Sequence, residues 1–491
     1  MITVIVIMLA YMAVMLFIGY RASRKVKTSE DFLIGGRTFG TVLTSIAHQA
    51  AGLSGWLFIA WVGQVASTGF GAIWTAFSSG FAPFINFLVL AKKVSRFTVM
   101  TRSRSFIDLL EARYYDEDKK HIRAISAIII FISITVYLSS QLMAAGTTFQ
   151  AILGWDYSIS VILGAAVVIA YTSAGGLLAV AWTDFIQGML MIFAVLAGLF
   201  VAFSNTGGLG PVFEGMRAID PELMNPWIAP VTIVGLLSAG WLGYMGQPQI
   251  VQMFMGLKSP GEAKKGAVIA GTTGVFLLFG TFFLYMACLV MFPQSADPNT
   301  NFIQMIMTYT PKFLAGIVTA AILAAVMSSS DALLHVANTA VCQDFYNRIF
   351  KNGNATDKEI LLVGRISAVI IGAVAIYIAF NPFEGVLWVN WWAWGGLSTF
   401  APIVVFGLYW KRATREGAIA GLIGGFLGSA IWFAVGYYKW LHLTFVAFVC
   451  AMVLLVGVSL VTPAPPKRIQ DQVSALKEDE HAVAVTDANN E

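Results

Sequence analysis

The pattern of apolar and polar positions predicts a chain made of membrane-spanning helices. Apolar runs of about 20 residues, the length at which an α-helix crosses the hydrocarbon core of a bilayer, recur from Ile2 to Thr462 with polar segments between them. Longer runs fit if the helix is tilted. There are thirteen such runs, with approximate limits at residues 2–20, 40–65, 70–91, 124–151, 157–172, 179–203, 229–252, 266–292, 313–342, 362–380, 384–409, 416–436 and 441–462. The predicted fold class is therefore an all-α polytopic membrane protein with about 13 transmembrane helices.

Two of these spans have interrupted middles. The second span holds the stretch 45–56, with glycines on both sides of Ser54, and the seventh holds the stretch 239–248, with three glycines before Pro248. Glycine and proline destabilise a helix, and a span that only had to cross lipid would have no use for them. The two breaks lie five spans apart, so the two segments cross the membrane in opposite directions. Broken helices at matching positions of two inverted halves indicate a binding site at the midplane.

These breaks divide the chain into two inverted repeats. Residues 1–462 form a single transmembrane domain, in which 40–204 is the first repeat and 229–410 the second. The helix at 2–20 is an extra N-terminal helix, and 416–462 holds two extra helices after the second repeat.

A third polar stretch lies at Ala324–Asp331, where three hydroxyl groups and one carboxyl group interrupt the ninth apolar run. Unpaired polar groups are costly in hydrocarbon, so this stretch and the one at 45–56 predict a shared polar site. For the second span taken alone, the alternative is close helix packing through small residues.

The composition excludes a soluble protein. Hydrophobic residues make up 58% and charged residues 11% of the 491 residues, whereas soluble domains carry about 25% charged residues. The first apolar run lacks a basic segment before it and a cleavage site after it, so we interpret it as a span and not as a signal peptide. The three cysteines predict neither a disulfide framework nor a metal site. Residues 463–491 open with prolines and become polar and acidic, which predicts a disordered cytoplasmic tail.

The basic residues are placed asymmetrically. With thirteen spans, one set of alternate loops and the C-terminal tail carry twenty-seven Lys and Arg residues, and the other set carries only Arg217, Lys312 and Lys439. Because positive loops stay on the cytoplasmic side, the N-terminus is predicted outside and the C-terminus in the cytoplasm. The expected location is the plasma (inner) membrane. The net charge of +4 gives no reason to expect a nucleic-acid partner.

Four stretches, in order along the chain, carry a resemblance to a known family. They are Tyr171–Asp184 (YTSAGGLLAVAWTD), Gly243–Pro248 (GYMGQP), Ala321–Ser329 (AILAAVMSS) and Lys411–Ala418 (KRATREGA). The sequence resembles the solute:sodium symporters, and among them the bacterial sodium/proline symporters most closely. The resemblance implies a five-plus-five inverted-repeat (LeuT-like) fold, alternating access, and sodium-driven import of a small organic solute such as proline or another amino acid. Sodium would be co-transported, and no organic cofactor is implied.

The resemblance also implies a sodium site. Carried over residue by residue, its ligands are the backbone carbonyls of Ala50, Leu53 and Ala325 and the hydroxyls of Ser328 and Ser329. Sodium is a hard cation that prefers oxygen ligands, by the logic that holds for calcium and magnesium. A helix opened near the second-span glycines frees carbonyls that can serve in this way. The alternative is that both serines bond back to their own helix.

Two acids predict a second site, for a cation or a proton. Asp184 lies where the family usually carries an aspartate, which in some members belongs to a second sodium site. Asp331 stands three residues after Ser328, where those members use a hydroxyl. Two acids near one site can hold a cation or share a proton. The alternatives are a helix-end acid facing cytoplasmic water for Asp184, and a pairing with a basic or amide group for Asp331.

The resemblance breaks at Gly52, where sodium/proline symporters carry an aspartate that is important for coupling. His48 lies one turn earlier, and we interpret it as a buried neutral histidine bonded to a carbonyl rather than as a proton carrier. These two positions leave open whether sodium or a proton is the coupling ion and whether proline is the solute.

The positions that match the family's solute site are polar or aromatic. Aromatic walls suit the apolar body of a small solute, while hydroxyls and freed amides hold its polar end. Trp241 matches loosely, because in proline symporters the tryptophan lies one residue earlier relative to the tyrosine. The predicted residues are Ser54, Trp56, Tyr137, Trp241 and Tyr244.

Other function classes fit less well. A proton-coupled or sodium-independent carrier on the same fold is the nearest alternative. A transporter-like sensor is disfavoured because a tail of 29 residues is too short for a signalling domain. An enzyme is not expected, since the chain has no metal-spaced His/Cys cluster, nucleophile elbow or phosphate loop. The expected partners are a small-molecule solute and membrane lipid.

Overall fold

The structure is a computed structural model that describes residues 2–476, and the regular secondary structure of those residues is helical. The helices of the first half are α1 (Ile2–Ser23), α2 (Ser29–Ile34), α3 (Thr41–Leu53), α4 (Ala60–Thr68), α5 (Ile73–Asn86), α6 (Lys92–Met100), α7 (Phe106–Arg113), α8 (His121–Leu153), α9 (Tyr157–Thr206) and α10 (Leu209–Ile219). Those of the second half are α11 (Pro230–Trp241), α12 (Gly243–Gly246), α13 (Pro248–Met255), α14 (Ala263–Met291), α15 (Asn301–Tyr309), α16 (Lys312–Thr339), α17 (Asp357–Phe380), α18 (Val386–Ser398), α19 (Phe400–Tyr409), α20 (Arg415–Ala434), α21 (Leu443–Val461) and α22 (Lys467–Ala475).

Ten helical segments of the described chain are long and apolar enough to cross a membrane. One of them, α9, has 50 residues, or about 75 Å at 1.5 Å per residue, against about 30 Å of hydrocarbon. Left-handed backbone at Gly176 (φ 55°) divides it into two spans. Left-handed backbone at Gly69 (φ 51°) likewise ends α4 and separates it from α5. The two broken spans, α3–α4 and α11–α13, complete the thirteen crossings that the sequence predicts.

The packing places α16 at the centre of the bundle. Of the most apolar part of the segment that contains α16, 83% is buried, against 33% for α20 and 28% for α21. Large apolar side chains that remain exposed, such as Phe200 and Val461, lie on the surfaces that face lipid in a membrane protein. The last two spans are therefore among the least buried of the candidate spans in the described chain, and their assignment as additions to the repeats stays a prediction.

A buried arginine ties three elements together at one end of the bundle. Arg123, at the start of α8, bonds to Asp108 and Glu111 of α7 and to Asp344 in the π-helical segment that follows α16. Burial disfavours the charged form of Asp108, but Arg123 and Arg348 outweigh it and hold the pKa of Asp108 below its usual value. The charge of Arg123, which lies beside the predicted span at 124–151, is thus neutralised by carboxylates of the protein itself.

The segment after the last span was predicted to be a disordered tail, but its first part is helical. Residues Lys467–Ala475 form α22, and Ile469, Val473 and Leu476 are buried. These apolar positions recur at helical spacing within a polar sequence, so one face of α22 packs on the bundle. Residues 477–491, the remainder of the predicted tail, lie outside the described part of the chain. The orientation of the termini and the limits of the repeats stay predictions.

Candidate functional site

The first broken helix opens at Ser54. Helix α3 ends at Leu53, and Ser54 has φ 53° and ψ −180°, which is not helical. The Ser54 hydroxyl accepts the amide of Trp56 at 3.2 Å, and the amide of Gly55 donates to Oε1 of Gln141 at 3.0 Å. In a continuous helix the Gly55 amide would donate to the carbonyl of Ala51. The break therefore leaves carbonyl oxygens near the end of α3 open to other partners.

Two hydroxyls of α16 take up these carbonyls. Ser328 and Ser329 are fully buried. The Ser328 Oγ lies 3.0 Å from the carbonyl oxygen of Ala50 and 3.1 Å from that of Ala325, and Ser329 donates to Ala51 at 2.8 Å. The two serines thus face α3 as well as their own helix, so back-bonding within α16 does not account for both of them. The result is a cluster of neutral oxygens, which is the donor type that sodium prefers.

The predicted sodium ligands are brought together in part. The Ser328 hydroxyl lies within hydrogen-bond distance of the carbonyl oxygens of both Ala50 and Ala325. Ser329 lies beside them but bonds to Ala51, which the sequence did not single out. In the described residues neither serine hydroxyl bonds to Leu53, the last residue of α3.

The second broken helix opens at Gln247. Helix α12 ends at Gly246, and the extended backbone of Gln247 leads into α13, where Pro248 occupies the first turn. A proline is tolerated there because its missing amide has no helical partner to lose. Trp394 of α18 is lodged against this break, and its indole Nε1 donates to the carbonyl of Ala239 at 3.1 Å.

A cavity of about 60 Å³ lies between the two breaks. Ser54, Trp56, Tyr137 and Tyr244, four of the five predicted solute residues, line it. The fifth, Trp241, is not among its lining residues, and its ring packs on Phe77 with 5.7 Å between centroids. Gly52 and Leu53, which the sequence analysis singled out for the ion site, also line the cavity. The lining residues that the sequence did not indicate are Thr75, Ser79, Leu236, Ala239, Asn390, Trp391, Trp394 and His442.

Gly52 has no room for a side chain in this structure. A Cβ added there would lie 2.8 Å from Cε1 and 3.1 Å from the hydroxyl of Tyr244, closer than carbon atoms normally approach. The ring of Tyr244 is itself held against Trp394, with 5.3 Å between centroids. The absence of the family aspartate therefore coincides with a tyrosine ring that reaches the opening of α3.

His48, one turn before Gly52, is a buried packing residue. Its ring packs against Phe87 and Phe254, with centroids 5.1 and 5.2 Å away. Its Nε2 lies 3.1 Å from Nδ2 of Asn86, so its partner is a side-chain amide and not the backbone carbonyl that we expected. The ring of Tyr244 stacks on it from 6.4 Å, so His48 is buried among aromatic rings, and its neutral state stays a prediction.

The two predicted acids meet in a second buried cluster. Asp331 accepts the hydroxyl of Tyr171 at 2.7 Å and that of Thr183 at 3.1 Å. The carboxyl groups of Asp184 and Asp331 lie within hydrogen-bond reach of each other, and both are fully buried. Neither acid takes part in an ion pair within residues 2–476. Asp184 therefore does not face solvent, and hydroxyl groups rather than a basic residue surround Asp331.

A buried pair of carboxyl groups requires compensation. If both were ionised, their repulsion and the loss of hydration would be costly, so a bound cation or a shared proton must offset the second charge. Asp331 lies three residues after Ser328 on α16, and residues with this spacing are neighbours on a helix surface, so this cluster lies about one turn beyond Ser328.

Comparisons with known proteins agree on the family. The sequence model of the sodium:solute symporter family matches residues 32–425. The chain is 33% identical over 466 residues to the high-affinity proline transporter PutP of Bacillus subtilis, covering 93% of this chain and 98% of that protein. It is 32% identical over 434 residues to a sodium/proline symporter of Staphylococcus aureus, covering 86% of this chain and 84% of that protein.

The fold is found among solved transporter structures. A Na⁺-coupled sialic acid symporter in a substrate-bound, outward-open state superimposes with a TM-score of 0.79 at 19% identity, over 94% of this chain and 99% of that one. At this identity the likeness shows the fold alone. It confirms the predicted fold class of inverted-repeat membrane transporters.

Proposed function

The chain belongs to the sodium:solute symporter family, and on that premise we propose that it imports a small amino acid, with proline as the first candidate, together with sodium bound between α3 and α16. Sodium-coupled import of a small organic solute is the function of the family. The observation that carries the ion site is the pair of buried hydroxyls, Ser328 and Ser329, that reach carbonyls of the opened helix α3. A small, neutral oxygen cluster suits a monovalent hard cation.

The cavity supports a small solute with an apolar body. At about 60 Å³ it has room for only a few water-sized groups, and tryptophan and tyrosine rings form much of its wall. Such rings pack on an apolar ring or chain, while hydroxyl and amide groups orient the polar end. Similarity to proline transporters at 32–33% identity supports proline as the first solute to test.

A second coupling ion is favoured by one observation. Asp184 and Asp331 form a buried carboxyl pair that takes part in no ion pair within the described residues. We infer that this pair binds a second cation. A carrier driven by protons on the same fold is the alternative, since one shared proton would compensate the pair equally well.

Uptake into proteoliposomes tests the proposed function. Purified protein is reconstituted, and uptake of labelled L-proline and a panel of other amino acids is measured under an inward sodium gradient. We expect uptake to exceed that in a matched potassium gradient at least about tenfold. Uptake that is equal in both gradients but is driven by an inward proton gradient would show that protons, and not sodium, are the coupling ion. No uptake of any amino acid under either gradient would contradict the proposal.

We expect Gly52→Ala to weaken solute binding. The added methyl group would push the ring of Tyr244 into the cavity, because the ring is 2.8 Å from the new Cβ and is backed by Trp394. The KM for solute at saturating sodium should rise about tenfold, or roughly 1.4 kcal/mol. Gly40→Ala is the matched control at the start of the same helix, since nothing lies within 4 Å of a Cβ there. An unchanged KM in Gly52→Ala would show that the ring can move aside.

A further inference from the structure

His442 reaches the solute cavity from outside the ten spans of the two repeats. It lies in the loop between α20 and α21, the two additional helices, yet it lines the cavity together with residues of the core. Its ring packs against Trp391 of α18, another lining residue, with 4.6 Å between centroids. The segment that joins these two helices thus contributes one lining residue to the cavity.

Two glycines fix this loop against the core. A Cβ added to Gly235 of α11 would lie 3.1 Å from the Cβ of His442, and one added to Gly395 of α18 would lie 2.5 Å from the Cβ of Leu443. Side chains at these two positions would hold the start of α21 away from both core helices. Because the glycines allow close approach, His442 has a defined position beside the first half of the broken helix.

The hydrogen bonding of His442 identifies its free donor. Its Nδ1 accepts the amide of Thr444 at 3.2 Å and so caps α21. A neutral imidazole that accepts at Nδ1 carries its hydrogen on Nε2. The residue is only 6% exposed, and its Nε2 is buried without a hydrogen-bond partner in the described residues. A buried N–H group without a partner is unfavourable unless a ligand or a water satisfies it.

A second residue that lines this cavity also carries a buried N–H group without a hydrogen-bond partner in the described chain. The indole Nε1 of Trp56 is buried and has no hydrogen-bond partner in residues 2–476. The cavity lining holds no lysine or arginine, so any charged acceptor there must be bound by neutral donors. Two residues that line one cavity thus each carry a buried N–H group without a partner in the described residues, and a carboxylate offers two oxygens that accept such donors.

We propose that His442 is a specificity-determining residue whose Nε2–H donates a hydrogen bond to the carboxylate of the amino-acid solute. This inference rests on the proposed function, because the carboxylate is the acceptor that every amino acid offers. The additional helices α20 and α21 then have a direct role in transport: they hold the donor at the cavity.

Substitution at His442 tests the inference. His442→Asn keeps a side-chain oxygen that can cap α21 but is too short to present a donor at the position of Nε2. His442→Gln restores an amide donor at about the reach of Nε2. Competition against labelled solute, at saturating sodium, gives the inhibition constants of L-proline and of prolinol, in which a hydroxymethyl group replaces the carboxylate. If the panel selects another amino acid, that amino acid and its alcohol are used.

We expect the inhibition constant of the amino acid to rise at least about tenfold in His442→Asn and to recover largely in His442→Gln. The constant for the amino alcohol and the half-saturating sodium concentration should change little. Trp440→Ala is the control in the same loop, since Trp440 is 58% exposed and does not line the cavity, and it should behave like the wild type. Equal weakening of acid and alcohol in His442→Asn would overturn the inference and leave the proposed function intact. Wild-type protein that takes up no amino acid would overturn both.

Discussion

Replacing Ser328 and Ser329 together by alanine is expected to abolish most of the sodium stimulation of uptake. Both hydroxyls point across the helix interface to carbonyls of α3, at 3.0 Å to Ala50 and 2.8 Å to Ala51. The double variant removes two side-chain oxygens from a site whose predicted ligands are all neutral. Sodium then lacks two of the oxygens that replace its hydration water. We expect the half-saturating sodium concentration to rise well beyond tenfold, which corresponds to more than about 1.4 kcal/mol.

The adjacent serine provides a matched control. Ser330 is equally buried, but its hydroxyl donates to the carbonyl of Val326 in its own helix at 2.7 Å. Ser330→Ala removes the same atom from the same helix without touching α3, so its sodium dependence should stay near that of the wild type. The measurement is uptake against sodium concentration in proteoliposomes with equal amounts of reconstituted protein. Unchanged sodium dependence in the double variant would exclude this site.

The spans and the breaks were predictable because each leaves a local signal. Hydrophobic runs of the length of a bilayer identify crossings, and glycine and proline inside such runs identify the interruptions at Ser54 and Gln247. The serine pair was predictable because hydroxyls in the middle of an apolar run need partners. The partner chosen by Ser329, the Ala51 carbonyl, depends on the register of α16 against α3, which no local pattern encodes.

The solute cavity was predicted less completely, for geometric reasons. Trp241 lies on a helix of 3.6 residues per turn, so a shift of one position rotates a side chain by about 100°. The offset from the family tryptophan is thus enough to turn the Trp241 ring towards Phe77. His442 and Trp391 reach the cavity only through tertiary packing across α11, α18 and α21. Tryptophans are also common at membrane interfaces, so their presence alone did not point to a site.

The short helix α22 shows that composition alone does not predict whether a polar segment is disordered. A polar, proline-led segment predicts disorder, but Ile469 and Val473, with Leu476 directly after the helix, recur at helical spacing and give Lys467–Ala475 a buried face. A segment of nine residues is too short for an isolated helix to be stable. It is helical because the bundle offers a surface for that face.

Asp331→Asn is expected to weaken sodium binding. The substitution keeps the shape of the side chain but removes the charge that Asp331 supplies one helical turn after Ser328. In a fully buried site the attraction between a carboxylate and a cation is worth several kcal/mol before desolvation is subtracted. We therefore expect the half-saturating sodium concentration to rise at least about tenfold, or roughly 1.4 kcal/mol, while solute affinity at saturating sodium changes much less.

Tyr171→Phe separates charge from hydrogen bonding in this prediction. It removes the hydroxyl that donates to Asp331 at 2.7 Å but leaves both carboxyl groups in place, so a cation bound by charge should be affected less than in Asp331→Asn. Asp331→Asn could instead abolish the pH dependence of uptake and leave sodium affinity unchanged. In that case the carboxyl pair carries a proton, and the second coupling ion is not sodium. If neither property changes, the carboxyl pair is structural, and the coupling charge must enter through the oxygen cluster at Ser328 alone.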